Sequence, residues 1–287
     1  MSGLVGGMIV LNEEAMVGRN LAQHLSCLDK LVIVEGADVH YPRDRVTTNG
    51  LSTDRTAEII RSFPDPQGKI TFVQHGWAGD GREGHGKMVL REACLRLACA
   101  DGFSGWFWHM DADEFVLVKD WPALAETLLL AESQGLVAVR LPTVHFWKSL
   151  KRIVVGGYYD VDHIRFFRVD RDCAYVYSDE GSHNAPTRCG KRYHRSALLK
   201  RPRELQVTPA GAWHPGLAMY HLGFARAAEE VRAKTDYYRA RGEVHSRPDT
   251  IRDREAWFAG HESAGLSVLE WCGCVPDCFR TEVVNGG

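Results

Sequence analysis

The chain lacks any apolar run approaching the about 20 residues that cross a bilayer. Its first run, Gly7-Met8-Ile9-Val10-Leu11, stops at Asn12-Glu13-Glu14 and reads as a strand rather than an export signal or a transmembrane segment. It also lacks an excess of charge of either sign, since 35 Lys and Arg face 37 Asp and Glu. That excludes a global field for nucleic acid or an anionic membrane, so affinity must come from a local site. Internal repeats, low-complexity tracts and obvious linkers are absent too. Cysteine is not scarce, but most of the eight are scattered among apolar neighbours, as Cys27, Cys94 and Cys99 are. With no export signal, reduced thiols and a cytoplasmic location are the expectation. The one cluster, Cys272, Cys274 and Cys278, matches no common zinc spacing and has no evident fourth ligand.

What is present is an ordinary globular composition, 45% hydrophobic over 287 residues, enough to bury the core of an α/β domain. Its most informative stretch is Phe107-Trp108-His109-Met110-Asp111-Ala112-Asp113-Glu114-Phe115, an apolar run that ends in three carboxylates. The run reads as a buried strand, so Asp111 and Asp113 emerge at its carboxyl end, where open α/β sheets hold their ligands. Two carboxylates at that spacing can share one hard cation, which takes oxygen ligands and can also grip a diphosphate.

The first half alternates strand and helix signals. Leu4 to Val10 is a strand, Asn12 a natural N-cap, and Val17, Leu21, Leu25 and Leu28 recur at helical spacing. Leu31-Val32-Ile33-Val34 has the pattern of a strand covered on both faces and ends in Glu35-Gly36. Ser52 to Ile60 reads as a capped helix stopped by Pro64, Ile70 to Val73 as a third strand, and Lys87 to Ala100 as a helix ahead of the Trp106 to Met110 strand. Such alternation predicts a mostly parallel sheet flanked by helices. The second half is less regular, with strand-like pieces at Ile164 to Val169, Ala174 to Tyr177 and Ala218 to Leu222, and helices near Ala227 to Arg241 and Arg252 to Ala259. We expect one domain over 1–287, a nucleotide-binding half (1–120) running into an acceptor-side half (121–287).

Three of these segments, in this order, resemble a glycosyltransferase of the family 2 type, with a GT-A fold. Met8-Ile9-Val10-Leu11-Asn12-Glu13-Glu14 is similar to that family's opening strand and turn. Leu51-Ser52-Thr53-Asp54-Arg55-Thr56-Ala57-Glu58-Ile59-Ile60 is similar to its Gly-Ser-Thr-Asp-x-Thr segment, and Asp111 and Asp113 to its Asp-x-Asp. The resemblance covers about the first 120 residues. It implies a nucleotide-sugar donor, most simply a UDP-sugar, contacted by Asn12, Glu13, Glu35, Asp54, Lys87, Arg91, Asp111 and Ala112. It further implies Mn2+ or Mg2+ held by Asp111 and Asp113, with a late third ligand for which His221 in Tyr220-His221-Leu222-Gly223 is the choice. The pattern departs from the family where an Asp-Asp pair commonly follows the second strand; here Glu35-Gly36-Ala37 stands.

Other readings compete at single motifs. Gly81-Arg82-Glu83-Gly84-His85-Gly86-Lys87-Met88 comes within one residue of a phosphate-binding P-loop, but Met88 replaces the hydroxyl that holds magnesium. A metal-dependent nucleotidyltransferase would use the same sheet and cation, and a non-catalytic nucleotide-sugar-binding module would have no use for the acids. If transfer inverts configuration, a base must deprotonate the acceptor hydroxyl. Glu180 is the first candidate and Asp179 the second, with Asp160 and Asp162 also available. Two aromatic and basic clusters, Trp147, Lys148, Lys151 and Arg152, then Lys191 to Arg195 with Lys200 to Arg203, suit an acceptor such as a phosphorylated glycan, a lipid-linked saccharide or a modified nucleic-acid base.

Overall fold

A computed structural model describes residues 2–82, 85–156, 163–175, 186–188, 198–200, 206–208, 211–214, 216–240 and 267–280. The chain forms two compact units that alternate along the sequence. One comprises Met1–Ala112, Pro122–Arg140 and Ile164–Lys200, the other Asp113–Trp121, Leu141–His163 and Arg201–Gly287.

The first unit is built on parallel strands. β1 (Leu4–Val10), β2 (Lys30–Glu35), β3 (Ile70–Gln74) and β4 (Gly105–Asp111) alternate with α1 (Glu14–His24), α2 (Thr56–Ser62) and α3 (His85–Cys99). β2 pairs in parallel with β1 and β3, and β1 pairs in parallel with β4. The β2 run that reads as doubly covered is buried from Leu31 to Val34. In α3, Arg91, Cys94, Leu95 and Ala98 fall on one buried stripe at helical spacing, and the apolar members pack with Val5, Val32, Val34 and Phe107. Gly7 makes room for that contact: a Cβ there would lie 2.2 Å from the Phe107 ring.

The sheet continues beyond β4 with later strands, in the order β9 (His163–Val169), β6 (Ala138–Leu141) and β12 (Leu198–Lys200). β12 is parallel to β6, whereas β9 is antiparallel to β4. The helix α4 (Trp121–Ser133) precedes β6, and β10 (Cys173–Ala174) pairs with β11 (Thr187–Arg188). The expected mostly parallel sheet flanked by helices is therefore what forms. The strand expected over Ala174 to Tyr177 is reduced to β10, with Tyr177 outside the described residues.

The second unit carries a five-stranded sheet in the order β16 (Ser267–Glu270), β8 (Ser149–Val155), β7 (Thr143–Trp147), β15 (Met219–Phe224) and β5 (Glu114–Phe115). β7 and β15 are parallel and the other neighbours antiparallel. The hairpin of β13 (Gln206–Thr208) and β14 (Gly211–Trp213) and the helix α5 (Ala228–Ala240) complete its described elements. Trp147 packs with Val154, Phe224 and Val231. It is thus a core residue and no part of an exposed aromatic and basic cluster, as its apolar faces find partners on β8, β15 and α5. The helix expected near Arg252 to Ala259 lies outside the described residues. Among the described residues, no helix is long and apolar enough to cross a membrane.

Candidate functional site

In the first unit, β2 and β3 lie to one side of β1 and β4 to the other, so the strand order reverses between β1 and β4. The carboxyl ends at such a reversal form the ligand crevice of open α/β sheets. Asn12 follows β1 there and Asp111 is the last residue of β4.

The two sequence motifs beside β1 are hydrogen-bonded to each other. Asn12 N donates to Ser52 Oγ at 3.0 Å, and Thr53 N to Asn12 Oδ1 at 2.9 Å. Glu13 N donates to Thr56 Oγ1 at 2.7 Å, Glu14 N to Asp54 Oδ2 at 3.0 Å, and Arg55 N to Glu14 Oε2 at 3.0 Å. Asn12 is therefore not the N-cap of α1. It sits in the left-handed region (φ 52°), with Nδ2 donating to Arg45 O, because its amide is used to join the two loops. Glu13 takes the cap position with no side-chain capping bond, and Asp54 supplies the acceptor from outside. Asp54 also accepts from Thr56 N and Thr56 Oγ1, so its one carboxylate serves the starts of both α1 and α2. Glu35 is fully buried, with Oε1 accepting from Ser52 N and Oε2 from Gln74 Nε2.

Asp111 is gripped by two guanidinium groups. Arg91 Nη2 from α3 lies 3.4 Å from Oδ1, and Arg165 Nη2 from β9 lies 3.3 Å from Oδ2. β9 brings Arg165 within reach because Phe166 pairs with Trp108, three residues before Asp111. His109 is buried on the same strand, 3.1 Å through Nδ1 from the Tyr175 hydroxyl. Burial first, then the charges of Arg91 and Arg165, hold its pKa well below the usual histidine range, so the ring is neutral. Lys87 adds to the same positive field. Arg91 thus points at Asp111 from a buried stripe, while Lys87, one turn earlier, is partly exposed.

In the second unit Asp113 is fixed by backbone and charge together. Its carbonyl accepts from Leu222 N at 2.9 Å, extending the β5–β15 ladder, in which Glu114 pairs with His221. Oδ2 accepts from Arg226 Nη2 at 2.9 Å and Lys234 Nζ at 3.2 Å. Oδ1 lies 3.7 Å from His221 Nε2, too far for a hydrogen bond. Burial alone would raise the Asp113 pKa, but Lys234, His221 and Arg226 outweigh it and hold the carboxyl well below its usual range. Asp113 is accordingly anionic throughout the neutral range, the state a metal ligand requires.

Among the described residues, no group of three or more His, Cys, Asp or Glu side chains is placed to hold a metal ion. A missing side chain leaves room beside Asp113 and His221. A Cβ on Gly223 would lie 2.7 Å from His221 Nε2 and 3.1 Å from Asp113 Oδ2. β15 also carries one extra residue against β7 here, for His221 pairs with His145 and Phe224 with Trp147. Such a bulge re-aims side chains and is common beside active sites.

The sequence pointed to Asp111, Asp113, His221, Arg91 and the two loop motifs. It did not point to Arg165, His145 or Lys234. Arg165 in His163-Ile-Arg-Phe-Phe and His145 in Thr143-Val-His-Phe-Trp each interrupt a buried strand, a signal that a polar group has a partner. Lys234 has no such signal, being one of several charges on α5. Asp179, Glu180, Asp160, Asp162 and the Lys191 to Arg195 cluster lie outside the described residues, as do Arg201 to Arg203. Arg152 is exposed and pairs with Glu270 at 3.0 Å, and Cys272 and Cys274 are exposed.

No protein-family model matches the chain, and no curated protein matches it. Among solved structures, the chain is similar to TarS from S. aureus at 12% identity and a TM-score of 0.30, over 52% of this chain and 22% of that one. A shorter form, TarS 1-349, aligns over 90% of this chain and 78% of that one, at 10% identity and a TM-score of 0.39. Glucosyl-3-phosphoglycerate synthase from Mycobacterium tuberculosis, in complex with Mn2+, UDP-glucose and phosphoglyceric acid, aligns at 14% identity and a TM-score of 0.30, over 51% of this chain and 44% of that one. The chain thus spans less than half the length of the first TarS structure and of the synthase.

Proposed function

We propose that this chain is a metal-dependent glycosyltransferase that moves a sugar from a nucleotide-diphosphate donor, most simply a UDP-sugar, to an acceptor hydroxyl. The observation that carries the reading is the pairing of Asp113 Oδ1 and His221 Nε2 at 3.7 Å, beside Gly223. In this reading Asp113 and His221 hold Mn2+ or Mg2+, and Asp111, two residues earlier in the chain, is a further candidate ligand on its spacing. When bound, the cation neutralises the charge that gathers on the leaving diphosphate.

The remaining roles fall to groups of the chain itself. Arg226 and Lys234 keep Asp113 ionised, and Arg91 and Arg165 hold Asp111 in place. The joined Asn12-Glu13-Glu14 and Ser52 to Thr56 loops shape the carboxyl ends of β1 and β2 for the nucleoside, with Glu35 bracing that wall. Glu180 or Asp179 would deprotonate the acceptor. The acceptor class that suits the basic segments is a phosphorylated glycan, a lipid-linked saccharide or a modified nucleic-acid base.

Thermal denaturation of the full chain with a panel of nucleotide sugars and Mn2+, alongside donor hydrolysis, tests the proposal. A UDP-sugar should raise the midpoint in the presence of Mn2+ and lose that effect in excess chelator. Stabilisation that survives chelation would remove the cation from the reading, and a panel with neither stabilisation nor hydrolysis would remove the donor.

A further inference from the structure

We infer that Asn20 is a positioning residue whose amide anchors the backbone from which Asp111 and Asp113 are presented, an inference that rests on the reading of those two acids as part of the transfer site. Asn20 lies on α1 and is fully buried, and its Nδ2 donates to the carbonyl of Ala112, the residue between the two acids, at 3.1 Å. The β1 to β4 ladder ends with Ile9 opposite Asp111, so this carbonyl lies one residue past it. A side chain from α1 thus supplies one further rung. Because the peptide unit is planar, holding Ala112 O also fixes the Asp113 N–H at the other end of the same unit.

The amide is itself held in one orientation. A carbonyl oxygen only accepts, so the Asn20 atom facing Ala112 is the nitrogen, and Oδ1 is left facing His24 Nδ1 at 2.9 Å. That oxygen also only accepts, so Nδ1 carries the hydrogen and His24 donates. His24 lies one turn further along α1, is fully buried, and meets the Trp108 ring edge to face, with centroids at 4.8 Å and planes at 69°. Trp108 in turn stacks on Phe166 of β9 at 5.3 Å. All of these residues belong to the first unit. On the buried face that also carries Met16, Val17 and Leu21, a leucine would fill the place of Asn20 with higher helix propensity and no polar group to desolvate. A polar pair kept there against local preference marks a site where function, rather than stability, sets the residue.

Three measurements on the full chain test the inference: thermal denaturation, hydrogen exchange of the peptide spanning 107–115, and hydrolysis of UDP-glucose or of whichever panel member is hydrolysed faster. The double variant Asn20→Leu with His24→Leu replaces both polar partners by apolar ones and should keep a midpoint near that of wild type. Its 107–115 peptide should exchange faster while the rest of the chain does not, and kcat should fall about 10²-fold with KM nearly unchanged. His24→Leu alone, which leaves the amide unheld, should lose part of that rate, and His24→Asn, which keeps an N–H donor on the same branch of the side chain, should recover it. Wild-type kcat in the folded double variant overturns the positioning role, whether or not exchange quickens. Equal losses in His24→Leu and His24→Asn also overturn it, because packing alone would then be at work. Should the double variant fail to fold, His24→Leu decides, since wild-type exchange and kcat there refute the anchor. A wild-type chain that hydrolyses no donor overturns the transfer reading instead, and unchanged exchange in the double variant then overturns the anchor as well.

Discussion

Gly223→Ala is the sharpest perturbation the second unit offers, for one methyl group lands against both proposed ligands. The new Cβ would stand 2.5 Å from His221 Cε1, 2.7 Å from His221 Nε2 and 3.1 Å from Asp113 Oδ2. Carbon atoms in contact prefer about 3.5–4.0 Å, so the imidazole must retreat by about 1 Å. It has little freedom to do so, because His145 Nδ1 is already at 2.9 Å on its other side. Overpacking of this kind costs about 1–3 kcal/mol of stability, and a displacement of about 1 Å at a reacting group can cost about 10²-fold in function. The variant should therefore stay folded, unfold at a modestly lower denaturant concentration, and bind Mn2+ at least about 10-fold more weakly. Denaturant titration and Mn2+ resonance titration on the same preparation measure both. Unchanged Mn2+ affinity in the folded variant would refute the reasoning, since the methyl group cannot be placed without moving His221 or Asp113.

Asp54→Ala removes the acceptor for Glu14 N, Thr56 N and Thr56 Oγ1 and should cost about 1–2 kcal/mol, read by denaturant unfolding; a loss under about 0.5 kcal/mol would mean that water replaces it at both helix starts. Asp65 accepts from Ile70 N at 2.7 Å and Lys69 N at 2.9 Å, and these backbone bonds, Ile70 first, hold its carboxyl below the usual range. A folded-state value below the unfolded one, about 3.9, stabilises the fold above that pH and loses its effect as pH falls through the folded value. The stability gap between wild type and Asp65→Asn should thus be present at pH 6 and narrow below about pH 4; a gap that widens on acidification would reverse the sign. Glu180→Gln should bind nucleotide sugar normally and transfer it about 10²- to 10⁴-fold more slowly. Transfer at wild-type rate by both Glu180→Gln and Asp179→Asn, or a product of retained configuration, would place the base elsewhere.

The parallel strands were legible because their burial is written in continuous apolar runs. Leu4 to Val10 is β1 residue for residue, and Leu31 to Val34 is the buried centre of β2. The direction of β9 was not legible. Its sequence reads as a strand whichever way it runs, and the chain between β6 and β9 passes through the second unit before returning. Asn12 was misread for a similar reason. An Asn before a helical stretch satisfies the local rule for a cap, but the competing acceptor, Asp54, comes from 40 residues away. The acids of the candidate site were visible as carboxylates after an apolar strand. Apart from Arg91, the cations that surround them were not, because Arg165, Arg226 and Lys234 come from later segments whose pairing no local pattern specifies.

The joining of the two loop motifs bears on the order in which the chain acquires its structure. α2 has seven residues, too few to persist as an isolated helix in water. Its start is satisfied instead by Asp54 and by Glu14, and Glu14 belongs to a segment 41 residues before Arg55. Closing that span is an entropic toll met before any of the joining bonds can form. Residues 52–62 should therefore be among the late segments to gain hydrogen-exchange protection during refolding, after β1 and α1 have docked. They should also be the first to open when Asp54 or Glu14 is replaced. A stretch that carries one of the chain's most recognisable sequence signatures would then be, kinetically, an appendage of another.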